Sequence, residues 1–184
     1  MPGSDILIGL VQRAQQGDAS VYVELVRAYL RPAYVIALAV VGRPADAEAI
    51  AQDTLWRALG RIKACGEANQ FVSWLFENVR KRARDFSRDR RFRSAPAVAE
   101  SGGLDSLAPE LAGVRDAVLS VLLVLDEAKR EVVLLHDLEG WAHWQIAEAL
   151  GIGESDSRQQ LFDARRILHG LGKLGAPQGR GTTR

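Results

Sequence analysis

Residues 140–168, GWAHWQIAEALGIGESDSRQQLFDARRIL, constrain this chain more than any other stretch. Apolar residues recur at helical spacing on both sides of a glycine. Ile146, Ala147 and Leu150 share one face of a first short helix. Gly151 follows at once, where a left-handed residue ends a helix. Ile152 closes a small core from the turn. A second helix then sends Leu161, Ala164 and Leu168 inward at i, i+3 and i+7, and the small Ala147 lets the two helices cross closely. Arg158, Gln159, Gln160, Phe162, Arg165 and Arg166 are left for the outer faces. An ordinary αα-hairpin has the same outline. A helix-turn-helix, whose second helix enters the major groove of DNA, also gives those outer residues a use.

The rest of the composition narrows the setting. A chain of 184 residues with 47% hydrophobic content holds one or two small domains with a buried core. Abundant Ala and Leu with only six prolines favour helix. No run approaches the roughly 18 apolar residues of a membrane span. The N-terminus, MPGSDILIGL, lacks a basic region before a hydrophobic stretch and does not read as a secretory signal. Cys65 is alone, which excludes an internal disulfide and fits a reducing cytoplasm, the expected location. Three scattered histidines and one cysteine give no zinc spacing. With no nucleophile–base pattern and no glycine-rich phosphate loop, neither an enzyme nor a cofactor is expected.

Charge is unevenly distributed. The net of +1 hides +5 over residues 1–93 and −4 over residues 94–184. Residues 80–93, RKRARDFSRDRRFR, carry eight basic and two acidic side chains.

Several helical patterns precede the basic run. Residues 6–30 place Ile6, Leu10 and Val11, then Val21, Leu25 and Ala28, on apolar faces. Gly17-Asp18 interrupts them, with Asp18 as a cap for the second of these helices. Pro32 suits the start of a further helix whose body, residues 34–41, is core. Residues 42–44, Gly-Arg-Pro, break it. Residues 46–59, DAEAIAQDTLWRAL, form the next helix. Ile50, Leu55 and Ala58 have an apolar face available, and Asp46, Gln52 and Asp53 stay outside. A polar loop over residues 61–70 leads to an amphipathic helix over residues 71–86. Phe71, Trp74, Leu75, Val79 and Ala83 face inward; Arg80, Lys81, Arg84 and Arg88 lie on or beside the outer side. Residues 94–109 are aperiodic and Gly/Pro-containing, a linker longer than most connections inside one domain. Two helices, over residues 114–125 and 126–138, precede the helix-turn-helix, and residues 175–184 read as a disordered tail.

An acidic helix, a polar loop, an aromatic helix ending in basic residues, a linker and a helix-turn-helix domain thus follow in order. The chain resembles the small two-domain sigma factors of bacterial RNA polymerase, the extracytoplasmic function (ECF) group of the sigma-70 family. The resemblance covers residues 5–173. It is carried by Asp46-Ala47-Glu48 with Gln52-Asp53-Thr54-Leu55-Trp56-Arg57-Ala58; by Phe71, Trp74-Leu75-Phe76, Arg80, Arg82-Ala83 and Asp85; and by Leu138-Glu139-Gly140, Ile146-Ala147-Glu148, Leu150-Gly151-Ile152, Leu161 and Ala164-Arg165.

The resemblance implies an all-α fold of two small helical domains. Residues 5–93 would be region 2, residues 94–112 a flexible linker, residues 113–173 region 4, and residues 174–184 the tail. It implies a non-catalytic subunit that binds core polymerase and directs promoter recognition and melting. Asp46, Glu48, Gln52, Asp53, Leu55 and Trp56 would contact polymerase, with Leu55 and Trp56 as apolar anchors. Trp56 packed within the domain is the other reading. Arg61, Lys63, Asn69, Arg80, Lys81, Arg84, Arg88, Arg90 and Arg91 would serve the −10 element, holding phosphates while the polar loop captures a flipped base. Trp74 and Phe76 read as core rather than stacking platforms. Arg158, Gln159, Gln160 and Phe162 would face the groove of the −35 element, with Arg165 and Arg166 on phosphate. Trp141 and Trp144 either anchor a protein partner or close the local core. Implied partners are core RNA polymerase, promoter DNA and an anti-sigma or other regulatory protein, with a monomer as the free state.

The chain departs from the family in four places. Ala142 stands where Ser or Thr usually caps the first helix of the motif, and Gly153 precedes the second helix. Asp156 and Asp163 sit on the recognition helix, the latter where a basic residue is common. Residues 113–173 carry a net −3, poor for sequence-independent DNA attraction. Lys81 replaces a customary Asn. The alternatives these leave open are a sigma-like regulator working through protein contacts and a stand-alone helix-turn-helix regulator, which would usually dimerise on a two-fold operator.

Overall fold

In the computed structural model, which describes residues 4–92 and 118–174, the regular elements are all helical. The first half comprises α1 (Ser4–Gln15), a 3-10 turn at Ala19–Val21, α2 (Tyr22–Val41), α3 (Pro44–Gly60), 3-10 turns at Ile62–Cys65 and Ala68–Gln70, and α4 (Phe71–Phe92). In the second half residues 118–122 are helical. Then come α5 (Glu127–Val133), which runs into a π-helical turn at Leu134–Leu138, α6 (His143–Leu150) and α7 (Glu154–Leu174). The expected linker at 94–112, the start of the helix expected from residue 114, and the tail beyond residue 174 lie outside the described residues.

The apolar stripe of α1 is Leu7, Leu10, Val11 and Ala14, a clean i, i+3, i+4, i+7 set. Ile6, expected inside, is exposed because it lies one position off that stripe. Asp18 accepts the Ser20 backbone N–H and caps the 3-10 turn that feeds α2. Contrary to expectation, Pro32 does not start a helix; α2 runs straight through it. Proline removes one backbone hydrogen bond. Here its ring is buried, and the residues around it, Tyr29, Ala33, Val35 and Ile36, are core. That continuous burial outweighs one lost bond.

Gly42 ends α2 at φ 67°, its N–H donating to the Leu38 carbonyl. A Cβ there would sit 2.6 Å from Leu123 Cδ2, so glycine is required by backbone and by close approach alike. Pro44 then opens α3, where a missing N–H costs nothing. Helices α2, α3 and α4 pack around Leu25, Ile36, Ile50, Leu55, Leu59, Phe71 and Leu75. Tyr29 meets Phe71 edge to face at 5.6 Å.

The second half folds around Val132, Leu135, Ile146, Ala149, Leu161 and Ala164. Ala149 thus takes the inward place expected for Ala147, which is half-buried, as are Leu150 and Leu168. Gly151 has the expected left-handed conformation, φ 68°. Ala142 lacks a capping side chain, but Gln145 Oε1 accepts its N–H at 2.9 Å. Asp156 Oδ2 does the same for the Gly153 N–H at 3.3 Å. Each helix of the motif therefore keeps the returning half of a capping box.

The two halves share one continuous hydrophobic core. Phe76 of α4 stacks on Trp141 with ring centroids 5.7 Å apart. Arg80 Nε donates to Glu131 Oε1 at 2.7 Å, Arg84 to Glu127 at 2.6 Å, and Arg31 to Glu139 at 2.7 Å. The two helical halves expected from the sequence are therefore in direct contact. An acidic second half lies against a basic first half.

Candidate nucleic-acid and polymerase interface

Helix α3 sorts the expected polymerase residues by burial. Gln52 and Trp56 are exposed four residues apart, Trp56 at 63%. Glu48 precedes them on the same stripe and accepts from Gln52 Nε2 at 3.3 Å. Leu55 is 1% exposed and belongs to the core, so its role as a partner anchor is corrected. The i+3 and i+4 neighbours of Leu55 are Ala58 and Leu59, both buried, and that stripe faces α2 and α4. Asp46 and Asp53, expected outside, are half-buried and paired. Asp46 accepts from Arg90 at 2.5 Å and lies 3.3 Å from Arg43. Asp53 accepts from Arg57 at 2.7 Å and lies 3.4 Å from Arg82.

Helix α4 presents two faces. One lines a cleft of about 270 Å³ against α3, bounded by Arg57, Arg61, Trp74, Asn78, Lys81 and Arg82, with Thr54 and Asp85 also in its wall. Trp74 is half-buried against Phe71, ring centroids 6.3 Å apart, and presents the rest of its indole to the cleft. Thr54 Oγ1 is buried without a hydrogen-bond partner. The structure brings Arg61 and Lys81 together here. Arg57, Arg82, Asn78 and Thr54 were not foreseen. Their signal was periodic: 54, 57 and 58 on one helix with 61 just past its end, and 74, 78, 81, 82 and 85 on the other, each make one stripe. Lys63 and Asn69 are exposed on the connecting turns.

The other face of α4 turns to the second half. Arg80, expected outside, is 8% exposed and hydrogen-bonded to Glu131, itself 5% exposed. Burial pushes the Glu131 carboxyl above the usual carboxylate range even though Arg80 pulls it down. Arg84 is held by Glu127, which raises the affinity of its guanidinium for its proton. Arg88 pairs with Asp85 within the helix, Arg90 reaches back to Asp46, and the Arg91 side chain lies outside the described residues.

On α7, Arg158, Gln159, Phe162, Arg165 and Arg166 are exposed, Phe162 at 64%. Gln160 is half-buried with a buried, unpartnered Oε1, so it turns away from the outer face expected of it. The polar members are already paired. Arg158 pairs with Glu154, Gln159 donates to Asp163 at 3.1 Å, and Arg165 pairs with Asp137 at 2.5 Å. Arg166 lies 3.6 Å from Asp163. Trp141 is buried and Trp144 exposed. His143 Nδ1 lies 2.9 Å from the buried Ser157 hydroxyl and ties α6 to α7, while its ring stacks on His136 at 4.7 Å.

A helical protein with a cation-lined aromatic cleft and a helix-turn-helix belongs to the class of DNA-binding transcription proteins. Residues 25–93 match the description "Sigma-70 region 2", and residues 115–168 match "Sigma-70, region 4". The ECF RNA polymerase sigma factor SigL of Mycobacterium tuberculosis is 32% identical over 137 residues, 72% of this chain and 77% of SigL. The probable RNA polymerase sigma factor RfaY of Xanthomonas campestris pv. campestris is 31% identical over 166 residues; these are 84% of this chain but 41% of that longer protein. The solved structure of CnrH in complex with the cytosolic domain of CnrY shares the fold, with TM-score 0.68 and 22% identity, over 92% of this chain and 99% of that one. So does the sigma factor RpoE of Bartonella quintana, solved with the anti-sigma factor NepR, with TM-score 0.54 and 21% identity over 83% and 97%. The chain belongs to the sigma-70 family, in its ECF group. Members of this family are non-enzymatic subunits that bind core RNA polymerase and promoter DNA in the cytoplasm and direct initiation. Among the described residues no helix is long and apolar enough to cross a membrane.

Proposed function

We propose that this chain brings core RNA polymerase to its promoters through α3, opens the −10 element on the α3–α4 cleft, and reads the −35 element with α7. The cleft carries this reading. Four cations, Arg57, Arg61, Lys81 and Arg82, line it together with Trp74. Cations hold the phosphates of a separated strand while an indole supplies a stacking face for a base, and stacking is tolerant of sequence. The unpartnered Thr54 hydroxyl offers a hydrogen bond at the wall. Lys63 and Asn69, exposed on the turns between α3 and α4, complete the −10 set. Gln52, Trp56 and Glu48 form the polymerase stripe, and Arg158, Gln159 and Phe162 the groove-facing set. The proposed bounds are residues 5–93 for region 2, 94–112 for the linker, 113–173 for region 4 and 174–184 for the tail.

An anti-sigma protein is the expected regulator. A landing place for it is the largely apolar groove of about 580 Å³ where Val26, Leu30 and Tyr34 of α2 and Ala51 of α3 meet Leu138. Glu48 and Gln52 lie on that groove as well. A helix seated there would cover part of the polymerase stripe.

The test is holoenzyme binding to a fork-junction DNA with an unpaired −10 strand. Lys81→Ala and Arg57→Ala are each expected to weaken binding about tenfold and to flatten its salt dependence. Unchanged affinity and salt slope in both would overturn the assignment of the cleft. One observation favours a second reading, in which region 4 acts chiefly through protein contacts: the polar side chains that α7 exposes for DNA already have carboxylate partners.

A further inference from the structure

Gln159, Phe162, Asp163 and Arg166 follow at i, i+3, i+4 and i+7 and make one stripe of α7. Gln159, Phe162 and Arg166 are exposed, so the stripe is an outer one. A carboxylate there repels phosphate, and Asp163 is a disadvantage to a helix that binds DNA by charge. Both of its oxygens nevertheless have a neighbour. Oδ2 accepts from Gln159 Nε2 at 3.1 Å, and Oδ1 lies 3.6 Å from the Arg166 guanidinium. An ionised carboxylate can only accept, so the amide must meet it nitrogen first. That contact decides which way Gln159 points. Unheld, a glutamine amide turns between two orientations about its last torsion and offers a base either its oxygen or its nitrogen. Held by Asp163, it keeps Oε1 and its second amide hydrogen outside the contact.

We propose that Asp163 is a positioning residue for base readout: it fixes the Gln159 amide so that α7 selects an adenine in the −35 element, with Oε1 accepting from the adenine N6 amino group and Nε2 donating to N7. This rests on the assignment of α7 to the −35 element. Adenine alone sets an amino donor beside an acceptor on its major-groove edge. Cytosine offers one of the two bonds. Against guanine O6 or thymine O4 a fixed amide sets oxygen against oxygen, and that repulsion adds to the discrimination. Arg166 beside the carboxylate offsets part of its repulsion of phosphate. Asp163 thus gives up sequence-independent affinity for a sharper choice of base. The carboxylate partner of Gln159, which in isolation favours a role in protein contacts, has this use in reading DNA.

The full-length chain is tested in complex with bacterial core RNA polymerase. The probe is a duplex DNA library randomised across the −35 and −10 regions, and the bound fraction is sequenced. Affinities are then measured for the enriched promoter and for versions with each −35 adenine replaced by the other three bases. Wild type is compared with Asp163→Ala, Gln159→Ala and the double variant, after circular dichroism has shown native helix content. At one −35 adenine wild type should discriminate by about tenfold, the order of one bidentate contact, and Asp163→Ala by about threefold or less. Asp163→Ala should also bind every sequence more tightly, because it removes a negative charge from the DNA face. Gln159→Ala should lose the same preference, and the double variant should lose no more than Gln159→Ala alone. A general gain in affinity with unchanged discrimination in Asp163→Ala overturns the positioning role, since charge alone then accounts for the residue. An enriched −35 sequence with no adenine whose preference depends on Gln159 overturns the amide readout and leaves the −35 assignment standing. Enrichment of no −35 sequence by wild type overturns that assignment, and the proposal with it.

Discussion

Leu55 and Trp56 are neighbours with opposite duties. One α-helical step, about 100°, separates a side chain 1% exposed from one 63% exposed. Leu55→Ala is expected to destabilise the first half by about 2–5 kcal/mol through the cavity it leaves. Trp56→Ala should leave stability within about 0.5 kcal/mol, as for surface positions generally. Urea unfolding of the two variants checks both; equal losses would mean that Trp56 packs inside. The exposure of Trp56 was one of two readings the sequence left open, because an apolar residue beside an apolar stripe fits either side. The burial of Arg80 was not legible at all. Its partner lies 51 positions away in the other half, and helical periodicity alone puts an arginine on the outer face. Lys81 and Arg61 were legible as cations, whereas Arg57 and Arg82 were hidden because their aspartate partner reads as part of a different surface.

At the scale of elements, glycine and proline signals were decisive where they ended helices and misleading inside one. Gly151 adopts the expected left-handed turn, and Gly42, expected only to break its helix, is left-handed too. Pro32 reads locally as a helix start, and only the burial around it shows why α2 continues. The helix-turn-helix was legible as a motif, but the histidine that fastens it was not. His143 bridges to Ser157 and stacks on His136. Burial lowers its affinity for a proton, and the charges of His136, Arg158 and Arg165 add to this against the opposing pull of Glu154. A histidine whose folded-state pKa is depressed stabilises the fold above its unfolded pKa, near 6.5, and that contribution is lost as pH falls through the lower folded value. The second half should therefore melt at lower temperature as pH drops from about 7 toward 5, and His143→Gln should flatten this dependence. Identical pH profiles for the two proteins would remove His143 as the cause.

At the scale of the whole molecule, charge distribution and packing belong together. The sequence shows a basic half and an acidic half, which on their own weaken the case for DNA binding by the second. The structure gives that acid a counterpart: Glu127, Glu131 and Glu139 meet Arg84, Arg80 and Arg31. Net charge per segment carries no information on which surfaces face each other, so closure was beyond sequence reasoning even though every participating residue was visible. The same packing brings α2, α3 and the Leu134–Leu138 turn to one groove that includes Glu48 and Gln52, so a protein bound there would cover part of α3.

The central claim is that the α3 stripe makes this chain a polymerase subunit. The most direct measurement is co-elution of the purified chain with bacterial core RNA polymerase on size exclusion, in the presence of fork-junction DNA. The account predicts a stoichiometric complex for wild type and a loss of at least about tenfold in affinity for a folded Trp56→Ala variant, as for an exposed aromatic anchor. A wild-type chain that elutes apart from polymerase, or a Trp56→Ala variant that binds as well as wild type, would contradict it.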